Sequence, residues 1–132
     1  MPPVPLDRIP RILDTRLAFL LPGVPVAFEG PRFKPPNGLW ARPTCKTGDT
    51  KDGEKGRDGY SRRIGIYFVD VFLPGPGSTG KAWETAKQVE DGFRRLCLDG
   101  IQTEDPNTKN LGFDASSRFH LQVVVPWWCW AV

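Results

Sequence analysis

The stretch Arg62-Arg63-Ile64-Gly65-Ile66-Tyr67-Phe68-Val69-Asp70-Val71-Phe72-Leu73 decides the fold. In an extended chain its side chains divide by parity. Ile64, Ile66, Phe68 and Phe72 share one face with Asp70, and Tyr67, Val69, Val71 and Leu73 share the other. A half-buried strand alternates apolar with polar, whereas a strand that is apolar on both sides must be covered on both sides. This strand is therefore central to a sheet. Helices can cover one side, and another subunit is a candidate for the second.

Two helical stripes flank it. Ile9, Leu13, Leu17 and Leu20, widened by Ile12 and Leu21, predict a helix from about Pro10 to Leu21, with Pro10 in the first turn and Pro22-Gly23 as its stop. Ala82, Ala86, Val89, Phe93 and Leu96 predict a second helix, capped by Ser78 or Thr79 and reaching about Cys97, with Arg94 and Arg95 suited to the dipole of its last turn. Gly92 is a poor helix former at that position and marks close packing.

Outside these elements, Val24, Val26 and Phe28 alternate as a short strand, and Leu39 to Lys46 form another in which Pro43 points to an edge or bulge. The run from Thr47 to Tyr60 is rich in glycine and charge and is expected to be a mobile loop. Ile101 to Thr103 read as a short strand and Glu104 to Asn110 as a polar turn. In the final strand, from Arg118 to Trp127, Phe119, Leu121, Val123, Val125 and Trp127 oppose His120, Gln122 and Val124. The expected fold is α+β: a mostly antiparallel or mixed sheet with two helices on one face, a single domain over residues 1–132 with a Trp-rich C-terminal extension at 127–132.

Composition bounds the chemistry. The 132 residues suffice for one core, and 14 glycines with 14 prolines imply many turns between short elements. A net charge of +3 is too weak a field for a dedicated nucleic-acid binder, and the pairs Arg62-Arg63 and Arg94-Arg95 read as solvated edges. Cys45, Cys97 and Cys129 are far apart and odd in number, and with His120 as the sole histidine they predict neither a zinc site nor a disulfide framework, which suits a reducing cytoplasm. The ten apolar residues from Val123 to Val132 are about half of what a bilayer span needs, and the first residues lack the pattern of a signal peptide, so a soluble protein is expected.

One motif suggests an enzyme. Gly75-Pro76-Gly77-Ser78-Thr79-Gly80-Lys81 has the spacing of a phosphate loop between a strand and a helix. Ala82, however, stands where a hydroxyl would hold Mg²⁺, and Pro76 removes a backbone donor from the cradle. The only aspartate suited to a metal, Asp70, lies on the strand that runs into the loop. The stretch reads as a glycine-rich turn entering a helix. No serine or cysteine partner is suggested for His120, and no carboxylate dyad is visible. The expectation is a protein without catalysis, cofactor or metal.

The most unusual local feature is Pro126-Trp127-Trp128-Cys129-Trp130. Each tryptophan can bury about 150–250 Å². Trp127 fits the core, whereas Trp128 and Trp130 either pack over a sheet end or meet another subunit, since tryptophan is enriched in interface hot spots.

Taken in order, these motifs resemble the tail terminator proteins of siphophages. The likeness covers about residues 8 to 128. It runs through the first helix and Val24-Pro25-Val26-Ala27-Phe28-Glu29-Gly30, the turn and strand Phe33-Lys34-Pro35-Pro36-Asn37-Gly38-Leu39-Trp40, and the long strand from Tyr60 to Gly75. The helix start Gly77-Ser78-Thr79-Gly80-Lys81-Ala82 and the final strand from Phe119 to Trp127 complete it. The lengthened loop and the Trp-Cys-Trp ending depart from the family pattern. The resemblance implies a homohexameric ring that binds the major tail tube protein, stops its polymerisation and presents a surface to a head-completion or connector protein. Its place would be the head-proximal end of the virion tail, with assembly in the host cytoplasm and no membrane or dedicated nucleic-acid partner. A head–tail connector or tube subunit, a nucleotide-binding enzyme using residues 75–81, and a small module binding through its tryptophans are the alternatives. Candidate assembly contacts are Lys51, Lys55, Arg57, Tyr60, Trp128 and Trp130.

Overall fold

A computed structural model describes residues 2–52 and 61–132 of the chain. Its elements are α1 (Ile9–Leu20), β1 (Trp40–Asp52), β2 (Ser61–Pro74), α2 (Gly80–Phe93), β3 (Cys97–Leu98), β4 (Ile101–Thr103), β5 (Asn107–Phe113) and β6 (Arg118–Ala131), with a short 3-10 turn at Leu6–Arg8 before α1. The six strands form one antiparallel sheet in the order β1-β2-β6-β4-β3, with β5 also paired to β6. β2 is central, as its two apolar faces require. It pairs with β1 on one side and along its whole length with β6 on the other, from Ser61 opposite Ala131 to Pro74 opposite Arg118. The far edge of β6 is divided: β5 takes its first half and β4 its second.

Directly opposed residues point to the same side of a sheet. Tyr67, Val69 and Val71 thus share a face with Ala41 on β1 and with Phe119, Leu121, Val123, Val125, Trp127 and Cys129 on β6, and all of these are buried. Both helices lie on that face. α1 contributes Ile9, Leu13 and Leu17, and α2 contributes Ala82, Ala86, Val89 and Phe93, to the same core. The architecture is the expected α+β arrangement.

Several local expectations are corrected. Val24 to Phe28 form no strand; one bridge, Val26 to Ala41, ties this segment to the start of β1. β1 does not stop at Lys46 but continues through a register shift between Thr47 and Thr50 to Asp52, so the first six of the fourteen residues of the expected loop are strand. The rest of that segment, 53–60, lies outside the described residues. α2 ends at Phe93 rather than near Cys97, so Arg94 and Arg95 fall after the helix; Arg94 is extended and Arg95 has φ 48°. The cause is distant in sequence: the buried Thr103 hydroxyl on β4 donates to the Phe93 carbonyl at 2.5 Å and accepts from the Leu96 N–H at 2.8 Å. A side chain from the sheet thereby satisfies a helix-end carbonyl and turns the chain. Asn107 to Asn110, read as a turn, belong to β5, and β6 runs on past Trp127 to Ala131.

Two glycines set the packing. Gly65 lies opposite Trp127 in the β2–β6 ladder, and a Cβ on Gly65 would overlap both the indole and the Lys46 carbonyl oxygen of β1. The fully buried Trp127 can lie across β2 only because this position has no side chain. Gly92 plays the same part between helices. A Cβ there would overlap the Leu20 side chain, and the Gly92 carbonyl accepts a 3.0 Å hydrogen bond from Arg16 Nε, joining α2 to α1.

A polar contact also crosses the helix–sheet interface. The Tyr67 hydroxyl donates to Asp14 Oδ1 on α1 at 2.5 Å. Burial pushes the Asp14 carboxyl above the usual carboxylate range; the Tyr67 hydrogen bond partly offsets this, and the Glu29 charge adds to it. Burial, followed by the Asp14 and Glu29 charges, raises the neighbouring Cys45 thiol to about 11, so this cysteine stays protonated at neutral pH.

Two expected outcomes follow from this packing. Gly65→Ala should lower unfolding stability by about 2–4 kcal/mol in urea titration, because neither the buried indole nor the β1 backbone can yield. Gly38→Ala, which points into open space, should change it by no more than about 0.5 kcal/mol. For Asp14, a folded pKa above the unfolded one means a stabilising contribution that is full below the unfolded value and lost as pH rises through the folded value. Asp14→Asn, which keeps an acceptor for Tyr67, should therefore be at least as stable as the native chain at pH 7 (denaturation midpoint). That advantage should vanish as pH falls to about 4.

Candidate assembly surface

Among the described residues, no helix packs on the second face of the sheet. Its central row is Ile64, Ile66, Phe68, Asp70 and Phe72 on β2, flanked by Trp40, Arg42 and Lys46 on β1 and by His120, Gln122, Val124, Pro126, Trp128 and Trp130 on β6. The alternation that buries Tyr67, Val69 and Val71 under the helices directs this second apolar set outward.

At the end nearest the start of β1 the face is closed by aromatic stacking around one carboxylate. Phe72 is stacked between Trp40 at 4.4 Å and His120 at 4.3 Å, and Phe33 packs against Trp40 at 5.2 Å. Asp70, only 4% exposed, is paired with His120 Nε2 at 2.7 Å, accepts from Gln122 Nε2 at 3.1 Å and has Arg42 at 3.7 Å. A buried carboxylate costs several kcal/mol unless so engaged, and β6 supplies two of its three partners because its register places His120 and Gln122 beside Asp70. This arrangement holds β2 and β6 together on the open side.

Toward the other end the face is open. Ile64 and Ile66 are each 37% exposed. With Phe68, Pro126 and Trp128 they line a shallow concavity of 480 Å³ rimmed by Lys46, Arg62 and Glu104. Trp128 and Trp130 meet edge to face at 5.7 Å, and both are partly buried. Cations lie over the rings: Arg62 over Trp128 at 4.5 Å, Lys46 over Phe68 at 5.9 Å, and Arg42 and Arg118 each 5.2 Å from Phe72. Arg118 also bonds Asp114 at 3.0 Å. Ring and cation together make a surface both apolar and positively charged.

At two sheet edges, β1 and β5, no further strand is paired among the described residues. Ala41 of β1 donates to Pro25 and accepts from Ala27, so its backbone groups point away from β2. By alternation those of Pro43, Cys45 and Thr47 do the same. The missing N–H of Pro43 is thus on the outer side of an edge strand, as the sequence suggested. On the opposite side β5 has β6 as its only strand partner among the described residues, and Leu111 and Phe113 there are 50% and 56% exposed.

Of the residues singled out in the sequence, Trp128 and Trp130 are together on the open face. Lys51 lies in β1 opposite Arg62, while Lys55, Arg57 and Tyr60 fall outside the described residues. The sequence did not reveal the Arg42–Asp70–His120–Gln122 cluster or the pairing of Arg62 with Trp128. Parity had already set Asp70 apart from the core face and His120 and Gln122 on the polar side of the last strand, but only register joins them. The glycine-rich segment 75–81 leads from β2 into α2, and both neighbours of β2 are antiparallel. The Gly75 N–H is bonded to the Ser117 carbonyl just before β6 and the Gly80 N–H to the Ser78 hydroxyl within the turn, so both donors are engaged within the protein.

Comparison with known proteins accords with this architecture. Eight chains of solved structure match the fold. One of them superposes with a TM-score of 0.69 at 16% sequence identity, over 93% of this chain and 94% of its own, a likeness of fold. No curated relative matches the chain. A family model described as phage tail terminator protein matches residues 8–127, nearly the whole of the helices and sheet described above. The chain belongs to the phage tail terminator family and is a structural protein of bacteriophage tails.

Proposed function

We propose that this chain closes into a homohexameric ring on the end of the tail tube of a siphophage, ends polymerisation of the major tail tube protein and offers its other side to a head-completion or connector protein. The observation that carries this reading is the open sheet face: a β2 strand apolar on both sides, with helices over only one side among the described residues. A monomer exposing Ile64, Ile66 and a cation-capped Trp128 gains by burying them against protein. The edges at β1 and β5 lie on opposite sides of the sheet, which suits head-to-tail contacts that close on themselves. The Trp128–Trp130 pair and the stretch of sequence between β1 and β2, with Lys51, Lys55, Arg57 and Tyr60, are the contacts to protomers or tube. The ring sits at the head-proximal end of the virion tail after assembly in the host cytoplasm. It works by shape, without cofactor or catalysis.

In cells lacking this protein, tails should grow beyond their normal length and fail to join heads, as seen by negative-stain microscopy. Native mass measurement of the purified chain with tail tubes should give one hexamer per tube end. Tails of controlled length in its absence would refute a terminating role, and many copies along the tube would instead indicate a tube subunit.

A further inference from the structure

The charges on the open face indicate what covers it. From this face project Arg42, Lys46, Arg62, Lys109 and Arg118; among the described residues the carboxylates beside them are Asp70, which is 4% exposed and already engaged, Asp114 beside Arg118, and Glu104 on the rim. Arg118 is paired with Asp114 and Arg42 reaches Asp70 at 3.7 Å, but among the described residues no carboxylate pairs with Lys46, Arg62 or Lys109. Arg62 lies over the Trp128 ring and Arg42 over Phe72. A guanidinium resting on a ring keeps its N–H edge outward and loses little further freedom when it accepts a carboxylate in fork geometry.

A second copy of the chain is a poor occupant. Face-to-face docking would set Arg42 and Arg62 against the same cations. The helix layer is no better: residues 6–20 and 80–95 carry seven cations (Arg8, Arg11, Arg16, Lys81, Lys87, Arg94, Arg95) against five acids (Asp7, Asp14, Glu84, Glu90, Asp91). Of those acids, Asp14 is spent on Tyr67, and Asp91 and Glu90 on Lys87 and Arg94. Nucleic acid is disfavoured as well. Single-stranded bases stack on open aromatic faces, but here Trp128 and Phe68 are capped by cations and Phe72 is sandwiched between Trp40 and His120. A duplex is ordinarily gripped through about six to ten phosphate contacts, more than the cations left unpaired here can supply.

We propose that the open sheet face, centred on Arg62, Trp128, Ile64 and Ile66 with Arg42 and Lys46 beside them, docks on an apolar protein surface bearing carboxylates, and that this surface is the exposed end of the tail tube. The inference rests on the terminator reading above and assigns the side of the protomer that reads the tube. The apolar patch supplies the contact area, and the stacked arginines select a tube end whose carboxylates match them. The same cations discourage two such faces from meeting.

The test uses the full-length chain and tail tubes purified from a lysate lacking it. Cosedimentation of the Arg42→Glu/Arg62→Glu variant with tubes should be at least tenfold weaker than that of the native chain. Native binding should weaken as salt rises from about 0.1 M to about 1 M, where the screening length falls from about 10 Å to about 3 Å. Arg42→Lys/Arg62→Lys should recover part of the loss, and Arg94→Glu on the helix side should bind as the native chain does. If circular dichroism shows the reversed variant unfolded, Arg42→Gln/Arg62→Gln replaces it, with a loss of about threefold or more expected. A reversed variant that binds tubes like the native chain overturns the proposal. So does one that binds tubes normally while its self-association, by native mass, is lost, since the face then joins protomers. A native chain that retards a DNA duplex in gel and loses this in the reversed variant overturns it in favour of nucleic acid. A native chain that never sediments with tubes overturns the terminator reading itself.

Discussion

The structure depends on the pairing of β2 with β6 and on the absence of a side chain at Gly65, which lets Trp127 lie across that pair. Both strands are 14 residues long and pair throughout, so the two form a ribbon to which every other strand attaches directly or through a neighbour. Trp127 is the largest fully buried side chain and Gly65 the smallest possible partner; their complementarity sets the register. A one-residue slip would place the indole against a side chain and send Tyr67, Val69 and Val71 outward. The helices follow from that register, since α1 and α2 have one apolar stripe each and only one face presents Tyr67, Val71, Leu121 and Val125 to receive them.

The same register produces the assembly surface. Parity leaves no alternative for Ile64, Ile66, Phe68 and Phe72: if the odd-numbered residues of β2 are under the helices, these face the other way. The surface is not uniformly apolar. One end is consolidated by Asp70 with His120, Gln122 and Arg42 and by the stack through Phe72, and the other offers a concavity with cations lying on its aromatic walls. A single sheet thus carries a dry core on one side and, on the other, a patch rigid at one end and receptive at the other. This division suits a member of a structural family of tail proteins.

Elements with side-chain periodicity were legible in advance. The stripes of α1 and α2, the two faces of β2 and the alternation in β6 were all present in the order of residues, and so was the edge position of Pro43. β5 was not legible, because Asn107-Thr108-Lys109-Asn110 has the composition of a turn; its strand character comes from backbone hydrogen bonds to β6, which no side-chain pattern records. The early end of α2 was hidden for a related reason: the group that takes the Phe93 carbonyl is Thr103, ten residues on, and it arrives there by way of the sheet. Val24 to Phe28 alternated like a strand yet pair with β1 at a single bridge, since local alternation cannot ensure a partner of matching length. In the surface, Trp128 and Trp130 were legible as unusual residues and Asp70 as a carboxylate on the second face of an apolar strand. Their neighbours were not.

By itself the sequence determined which residues must be hidden and which side of each strand or helix hides them, because burial follows from the periods of the backbone, 2 for a strand and 3.6 for a helix. Only the tertiary structure decided which strands are neighbours and in what register, and hence that Arg62 rests on Trp128 and that Asp70 meets His120 and Gln122 across 50 and 52 residues of chain. The physical reason is that pairing energy resides in backbone groups common to all residues, so register is chosen by the fit of the whole core and not by the residues that come to touch.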